Sequence, residues 1–204
     1  MPSRVFTELD EKKQQKIIEA SIKEFGTYGY ENSSTNRIVK ECGISKGSLF
    51  KYFENKEDLY FYLIDEVAMK MSESMTPELA KLPKDVIERI IAYSTLETTW
   101  YIENPDMGRL MIQMAQEKGE IGKKIAEHYK GSSTDTYKAL MKDANYSNLK
   151  NDKEKVIDIV RWMLQGFNKD FFEKNTKGRK SLKKQKEDYI AQLSEYLDIM
   201  RNIL

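Results

Sequence analysis

The sequence predicts an all-α protein, with an N-terminal three-helix domain that contains a helix-turn-helix and a larger C-terminal helical bundle. Apolar residues recur every three to four positions along most of the chain, which is the period of an amphipathic helix. Only 4 prolines and 10 glycines interrupt the 204 residues, and no stretch shows the two-residue alternation of a β-strand. Between residues 33 and 59, two short helical segments flank a glycine. We expect residues 1–55 to form the first domain and residues 56–204 the second.

The composition is that of a globular protein, with 40% hydrophobic and 33% charged residues and a net charge of +1. Cys42 is the single cysteine and cannot form an intrachain disulfide, so we expect a reducing, cytoplasmic compartment. No apolar segment typical of a signal peptide stands at the N-terminus, and the longest apolar runs are a few residues. We therefore expect no membrane partner.

Residues 1–9 are expected to form a loose arm. Asp10 is expected to cap a first helix over about Glu11–Tyr28, since a side-chain oxygen at this position accepts from the free N–H groups of the first turn. The apolar stripe of this helix, which we expect to pack against the following motif, comprises Ile18, Ile22 and Phe25.

The motif begins at Ser33 and Ser34, whose hydroxyls are expected to cap a helix that ends near Cys42. Gly43 supplies the permissive backbone needed where that helix stops. Ser45 is expected to cap a second helix of about two turns. This spacing predicts a helix-turn-helix, in which the N-terminal residues of the second helix meet base edges in the major groove.

The first turn of the second helix is small, polar and cationic, which suits DNA. Lys46 is placed to reach a guanine edge or a phosphate, and Gly47 lets the backbone approach closely. Tyr52 and Lys56 follow where the chain would meet the phosphate backbone. Residues 33–56 carry five basic and two acidic side chains, a local charge of +5 − 2 = +3. The predicted DNA-binding residues are Ser34, Thr35, Ser45, Lys46, Gly47, Ser48, Phe50, Lys51, Tyr52 and Lys56; the alternative is a helical hairpin with a solvated face.

This stretch resembles the DNA-binding domain of the TetR family of transcriptional regulators, over about residues 11–60. Alanine of the family pattern is replaced by Val39 and Cys42, tyrosine by Phe50 and histidine by Tyr52. The pattern stands here as Ser34, Ile38, Val39, Cys42, Gly43, Ile44, Ser45, Gly47, Leu49, Phe50, Tyr52, Phe53, Lys56 and Leu59. The resemblance implies double-stranded operator DNA as partner, a small-molecule inducer bound in the C-terminal bundle, and a homodimer formed through the last two helices.

The rest of the chain is predicted to be helical. Asn55 and Asp58 resemble a capping box for a helix from Lys56 to about Met75, and Thr76-Pro77 is expected to break it. Gly119 and Gly122 are expected to separate two later helices. The further predicted helices are about Lys84–Glu103, Pro105–Lys118, Lys123–Ala144, Lys153–Asn175 and Leu182–Asn202.

Aromatic and methionine side chains gather on the middle helices, as in adaptable apolar pockets. Glu97 lies one turn from Trp100, and a carboxylate beside aromatic rings suits a cationic ligand. The predicted ligand-binding residues are Leu63, Tyr93, Glu97, Trp100, Met111, Met114, Tyr129 and Trp162. The alternative is that these side chains are ordinary core and Glu97 is solvated.

His128 is the single histidine, and no cluster with metal-ligand spacing, nucleophilic pair or glycine-rich phosphate loop accompanies it. We therefore predict no metal, no cofactor and no enzymatic activity. The predicted function is a ligand-responsive repressor, released from an inverted-repeat operator by a small, largely apolar or cationic-aromatic ligand. The alternative is a helical small-ligand-binding or interaction module that no longer binds DNA.

Overall fold

The computed structural model describes residues 2–130, 140–149, 151–175 and 181–203 of the chain. Within these ranges the all-α prediction is confirmed, and the β-structure consists of one isolated bridge between Asp85 and Asn145. The described helices are α1 (Arg4–Thr7), α2 (Glu11–Asn32), α3 (Thr35–Cys42), α4 (Lys46–Tyr52), α5 (Lys56–Leu79), α6 (Val86–Glu103), α7 (Pro105–Gln116), α8 (Gly119–His128), α9 (Lys153–Asn175) and α10 (Leu182–Ile203). No described helix is both long and apolar enough to cross a membrane.

The chain packs into two compact units. The N-terminal unit comprises Met1–Ser74 and Asn104–Gly131, and the C-terminal unit comprises Met75–Glu103 and Ser132–Leu204. The first unit therefore contains α7 and α8 in addition to the helix-turn-helix. The domain boundary after residue 55 stays a prediction, since packing alone does not say which segment folds by itself.

Within the N-terminal unit, α7 packs along α2. The two helices approach most closely at Gly26, where an added Cβ would lie 3.1 Å from the backbone nitrogen of Leu110 and 3.2 Å from the carbonyl oxygen of Asp106. Glu117, at the end of α7, accepts a 2.6 Å hydrogen bond from the backbone N–H of Tyr30. The long stripe of α5 is fully buried in the same unit and includes Leu59, Tyr60, Leu63, Ile64 and Val67.

The predicted loose arm at residues 1–9 is wrong, because this segment contains α1 and buries Phe6. Burial of a single aromatic side chain against an adjacent apolar surface is enough to order a short segment. Periodicity over nine residues carries too little signal to reveal this.

Three predicted helix ends also differ from the structure. The first long helix continues to Asn32 through a break at Gly29, where φ is 70°. Helix α5 passes Pro77 and ends at Leu79, two residues beyond the proline, which lacks the N–H needed for the backbone hydrogen bond to the preceding turn. Gly122 lies inside α8 rather than before it, and its role is close approach: an added Cβ would lie 2.7 Å from the carbonyl oxygen of Glu117. The predicted helix Lys123–Ala144 is also wrong in extent, because α8 already ends at His128; residues 131–139 lie outside the described residues.

In the C-terminal unit, α6, α9 and α10 share one apolar core built around Val86, Val160 and Leu193. A buried polar chain also joins them: the Tyr189 hydroxyl donates to Asn168 Oδ1 (2.9 Å), and Asn168 Nδ2 donates to Ser94 Oγ (3.1 Å). Paired polar groups of this kind fix the register of the helices that they connect.

Candidate nucleic-acid interface

Helix α3 ends at Gly43 in the left-handed conformation that the sequence predicts. Gly43 has φ 69° and ψ 34°, a region that side chains with a Cβ enter at a cost. Its N–H donates to the Lys40 carbonyl, and the next N–H, of Ile44, donates to the Val39 carbonyl (3.0 Å). These bonds satisfy carbonyls that the helix end leaves without partners, and they turn the chain sharply into α4.

Helix α4 is the recognition helix of the motif, and Ser45 caps it as predicted. Ser45 Oγ accepts from the backbone N–H of Ser48 (3.0 Å) and lies 2.8 Å from the Ser48 hydroxyl. Leu49 is buried and ties the other side of the helix to the core. The remaining N–H groups of the first turn therefore stay at an exposed helix start, where they attract phosphate.

The outer face of α4 is polar and cationic. Lys46, Gly47 and Lys51 are exposed, and Phe50 remains 40% exposed. The ammonium of Lys46 lies 6.0 Å from the centroid of the Phe50 ring, so both side chains occupy the same side of the helix. Four predicted DNA-binding residues thus share one accessible surface.

Other predicted DNA-binding residues are more enclosed. Ser34, Thr35, Ser48 and Tyr52 are partly buried, and the Tyr52 ring lies 5.9 Å from that of Phe6. Their DNA contacts stay predictions.

The hydroxyl caps predicted for α3 are wrong. Ser33 Oγ donates instead to the Tyr30 carbonyl (2.7 Å), and Ser34 stands at the N-cap position without a side-chain cap bond. The backbone N–H of Ser34 donates to Glu24 Oε1 (2.7 Å). A buried carboxylate on α2 therefore takes the place of a local cap.

Glu24 is the functional residue that the sequence interpretation missed. It is only 8% exposed, and its Oε1 accepts from Arg37 Nη2 at 2.5 Å and from Arg37 Nε at 2.9 Å. Arg37 also donates to the Asn32 carbonyl (2.8 Å) and lies over the Tyr28 ring, with its Cζ 4.2 Å from the centroid. The bond to Glu24 raises the pKa of Arg37. An acidic residue on the apolar face of a predicted helix was the available signal.

Arg37 is therefore a brace between α2 and α3, and its charge is offset by Glu24. Lys56 is also engaged within the protein: its ammonium donates to the Glu31 carbonyl (3.3 Å) and lies 4.6 Å from the Tyr30 ring centroid. Burial lowers the pKa of Lys56. The predicted local charge of +3 thus overstates the cations available to DNA, and a phosphate contact by Lys56 stays a prediction.

The predicted ligand-binding residues are divided between the two units. Leu63, Met111, Met114 and Tyr129 belong to the N-terminal unit. There Leu63 is fully buried, and the Tyr129 hydroxyl donates to Asp65 Oδ1 (2.7 Å). The eight residues fall in both compact units, and a single pocket that holds all of them stays a prediction.

In the C-terminal unit, Tyr93, Glu97 and Trp100 lie on α6. Glu97 Oε1 accepts from the Tyr101 hydroxyl (3.1 Å), and burial raises the pKa of Glu97. Burial, with Glu97 nearby, raises the pKa of Tyr93 to about 12. Glu97 is thus partly buried and bonded within α6, and its role as a ligand-binding residue stays a prediction.

Trp162, the fourth of these residues, is 67% exposed on α9. It belongs to a set of large apolar side chains that α9 and α10 leave at the surface. We call this set the exposed apolar face, and it comprises Ile159, Trp162, Ile190, Tyr196 and Ile199.

The fold and the α3–α4 geometry define an all-helical protein with a helix-turn-helix DNA-binding motif. Residues 17–63 match the sequence model of the family described as "Bacterial regulatory proteins, tetR family". This match over the N-terminal segment confirms the resemblance to the TetR family that the sequence predicts.

An HTH-type transcriptional regulator of Staphylococcus aureus (strain bovine RF122 / ET3-1) is 49% identical over 51 residues, which are 25% of this chain and 28% of that protein. The match thus spans less than a third of the relative.

Two solved structures share the fold over nearly the whole chain. A TetR family regulator from Chloroflexus aurantiacus J-10-FL has a TM-score of 0.67 at 19% identity, covering 100% of this chain and 93% of that one. The transcriptional regulator FadR from Bacillus subtilis, solved in complex with stearoyl-CoA, has a TM-score of 0.59 at 18% identity, covering 88% and 96%. At these identities the likeness concerns the fold.

Proposed function

We propose that this chain is a DNA-binding transcriptional regulator, a repressor that binds an inverted-repeat operator as a homodimer and is released by a small ligand. The observation that carries the DNA-binding part is the exposed first turn of α4. Ser45, Lys46 and Gly47 stand at the accessible start of a helix whose opposite side is anchored by Leu49. The N-terminal residues of such a helix are those that reach base edges in the major groove.

Lys46 provides the sharpest test of this docking. A DNA duplex is first selected from a random-sequence pool with the wild-type protein, and affinities for that duplex and a scrambled one are measured at several salt concentrations. Lys46→Ala should weaken binding to the selected duplex by about 1–3 kcal/mol and relax preference at one base position. Lys12→Ala, which removes the same charge from an exposed site on α2, is the matched control.

The salt dependence separates DNA recognition from the alternative function. Log affinity should fall steeply with log salt, because lysine contacts release counterions from phosphates. Wild-type protein that shows no preference between the selected and scrambled duplexes at any salt concentration would favour a ligand-binding or interaction module. Unchanged affinity and base preference in Lys46→Ala would contradict the proposed docking of α4.

The exposed apolar face supports the homodimer. Side chains such as Trp162 and Ile199 are more than half exposed in the single chain, and large exposed apolar side chains that cluster mark association sites. A two-fold dimer presents the same patch from both subunits and places two recognition helices on an inverted repeat.

The environment of Glu97 supports a ligand that carries a positive charge beside an apolar or aromatic body. A carboxylate withdrawn from water loses stability as an anion, and a nearby cation restores it. Tyr93 and Trp100 lie on the same helix as Glu97 and supply aromatic surface beside it. The FadR structure contains stearoyl-CoA, so an acyl thioester is the competing ligand class.

Calorimetry with two probes distinguishes these ligands. Tetraphenylphosphonium represents the aromatic cation and stearoyl-CoA the acyl thioester, each titrated into the protein with and without the selected duplex. If the ligand releases the protein from DNA, the duplex must weaken ligand binding by the same factor by which the ligand weakens duplex binding. Equal ligand affinities in the two titrations would refute the release mechanism.

A further inference from the structure

The N-terminal segment Pro2–Leu9 holds the end of the recognition helix. The backbone N–H of Ser3 donates to the Tyr52 carbonyl (2.8 Å), and Ser3 Oγ donates to the Lys51 carbonyl (2.7 Å). Phe6, only 1% exposed, places its ring 4.9 Å from that of Phe53. One serine and one phenylalanine thus connect the start of the chain to residues about fifty positions later.

Helix α4 needs such support for a physical reason. Its seven residues form about two turns, and a helix this short is marginal by itself because nucleation is costly. The last carbonyls of any helix also lack partners within it. Phe53 follows α4 in an extended conformation (φ −130°, ψ 134°), so the chain makes no left-handed turn that would bond these carbonyls locally. Ser3 supplies donors to two of them.

The segment is anchored on its other side as well. Gln14 Nε2, on α2, donates to the Leu9 carbonyl (2.8 Å) and the Thr7 carbonyl (3.3 Å), and Asp10 Oδ1 accepts from the Lys12 N–H (3.1 Å). Pro2–Leu9 is therefore a strut between α2 and the C-terminal end of α4.

We propose that Ser3 and Phe6 are positioning residues for DNA binding, which set the orientation of α4 and so the selectivity of the protein. This inference rests on the proposed function. The family match begins at residue 17, so it does not include this segment and assigns no role to it. Because α4 is only about 10 Å long, release of its last turn also loosens the first turn, where Lys46 would meet the bases, and DNA must then order the helix at the expense of affinity.

Direct DNA contact by the segment is the competing explanation. Arg4 Nε donates to Glu8 at 2.6 Å, so its charge is paired with the residue that caps α1. A phosphate contact by Arg4 would affect all sequences alike and would change the salt slope. Positioning by Ser3 instead predicts a loss confined to the selected duplex, with the salt slope unchanged.

The test compares Ser3→Ala with Ser3→Thr, which keeps the hydroxyl, and with Val5→Ala, a control at a 53% exposed residue of the same segment. Amide hydrogen exchange of residues 50–53 is measured in the free protein, and affinities are measured for the selected and scrambled duplexes at two salt concentrations. In Ser3→Ala, we expect exchange about fivefold faster and selected-duplex binding about fivefold weaker, as one net hydrogen bond predicts. Ser3→Thr and Val5→Ala should match wild type.

Wild-type exchange in Ser3→Ala, or equal loss for both duplexes, would overturn the positioning role while leaving DNA recognition intact. A wild-type protein that does not distinguish the duplexes would overturn the proposed function and, with it, the DNA-binding part of this inference. The two failures are therefore separable. Phe6→Leu, which removes the ring packed against Phe53 and part of the buried volume, should change both measurements in the same direction as Ser3→Ala.

Discussion

Each unit of this protein withdraws one glutamate from water, Glu24 almost fully and Glu97 partly, and the hydrogen-bond partners of the two carboxylates differ. In the N-terminal unit, Glu24 accepts bonds from the Arg37 guanidinium and the Ser34 backbone. In the C-terminal unit, Glu97 accepts from the Tyr101 hydroxyl, and no ion pair within the described residues reaches it. Burial correspondingly raises the pKa of Glu97.

The exposed surfaces of the two units also differ in polarity. The accessible side of α4 carries Lys46 and Lys51, whereas α9 and α10 expose a tryptophan, a tyrosine and three isoleucines. The N-terminal unit thus pairs its buried carboxylate internally, although the buried hydroxyls of Ser21 and Tyr60 lack a partner within the described residues, and the accessible side of α4 is cationic. Among the described residues of the C-terminal unit, no ion pair reaches Glu97, and large apolar side chains of α9 and α10 are exposed; the ligand and the second subunit proposed above would contact these two features.

Disrupting the apolar face should have the largest effect. Trp162→Glu combined with Ile199→Glu places charge where the dimer would exclude water, and we expect monomers in sedimentation. Binding to the selected duplex should fall roughly 100-fold or more, because residues at the centre of an interface carry most of its free energy. Met69→Glu, at a half-exposed methionine of α5, is the control. A double variant that still sediments as a dimer would refute this interface.

Removing the ion pair between Glu24 and Arg37 in the N-terminal unit should have a somewhat smaller effect on free energy. Glu24→Ala leaves the Ser34 N–H without its acceptor and Arg37 without its partner, and we expect about 2–3 kcal/mol of lost stability. The value is below that of a fully buried pair because half of Arg37 is in solvent and rehydrates easily. Urea denaturation measures the loss, with exposed Glu19→Ala as the reference. A change within experimental error would show that the brace is not needed for folding.

A pair of helical glycines sharpens the comparison further. Gly26→Ala forces α2 away from the backbone of α7, which lies 3.1 Å from the added Cβ, and should destabilise the protein by about 1–2 kcal/mol. Gly166→Ala on α9 meets no atom within 4 Å and should stabilise by about 0.5–1 kcal/mol through helix propensity. Both are measured by thermal unfolding in the monomeric double variant. The same sign for both would contradict the packing described.

The parts of the fold that could be predicted from the sequence are those that depend on residues only a few positions apart. Gly43, Ser45 and Asn55 act on neighbours within a few residues, and all three occupy the predicted positions: Asn55 Oδ1 accepts from the Asp58 N–H at 2.9 Å. The long helices α9 and α10 also lie where periodicity placed them. Local propensity and spacing contain this information.

The missed features depend on residues far apart in the chain. Glu24 pairs with Arg37 across two helices, and Ser3 bonds a helix end 48 residues away. The close approach at Gly26 requires α7, which begins about eighty residues later. Spacing within a window cannot reveal such pairs, whereas an acidic residue on an apolar stripe or a glycine inside a helix does indicate that some partner lies there.

The smallest expected effect concerns Glu97, the partly buried acid of the C-terminal unit. Because the pKa of Glu97 is raised in the folded state, the protein binds a proton there more tightly than the unfolded chain does. The resulting stabilisation is fully present below the ordinary glutamate pKa of about 4.3, and it is lost as the pH rises through the raised pKa of Glu97.

Glu97→Gln should remove this loss. Glutamine has nearly the same shape, keeps an oxygen to accept from the Tyr101 hydroxyl, and stays uncharged at every pH. We therefore expect the melting temperature of Glu97→Gln to equal that of wild type near pH 4.5 and to exceed it at pH 8, with Glu154→Gln, at an exposed residue of α9, following wild type throughout. If an organic cation occupies the site as proposed, tetraphenylphosphonium should raise the melting temperature of wild type at pH 8 but not that of Glu97→Gln. A constant difference between the two proteins across this range would mean that Glu97 is not desolvated and that its unpaired burial does not distinguish the C-terminal unit.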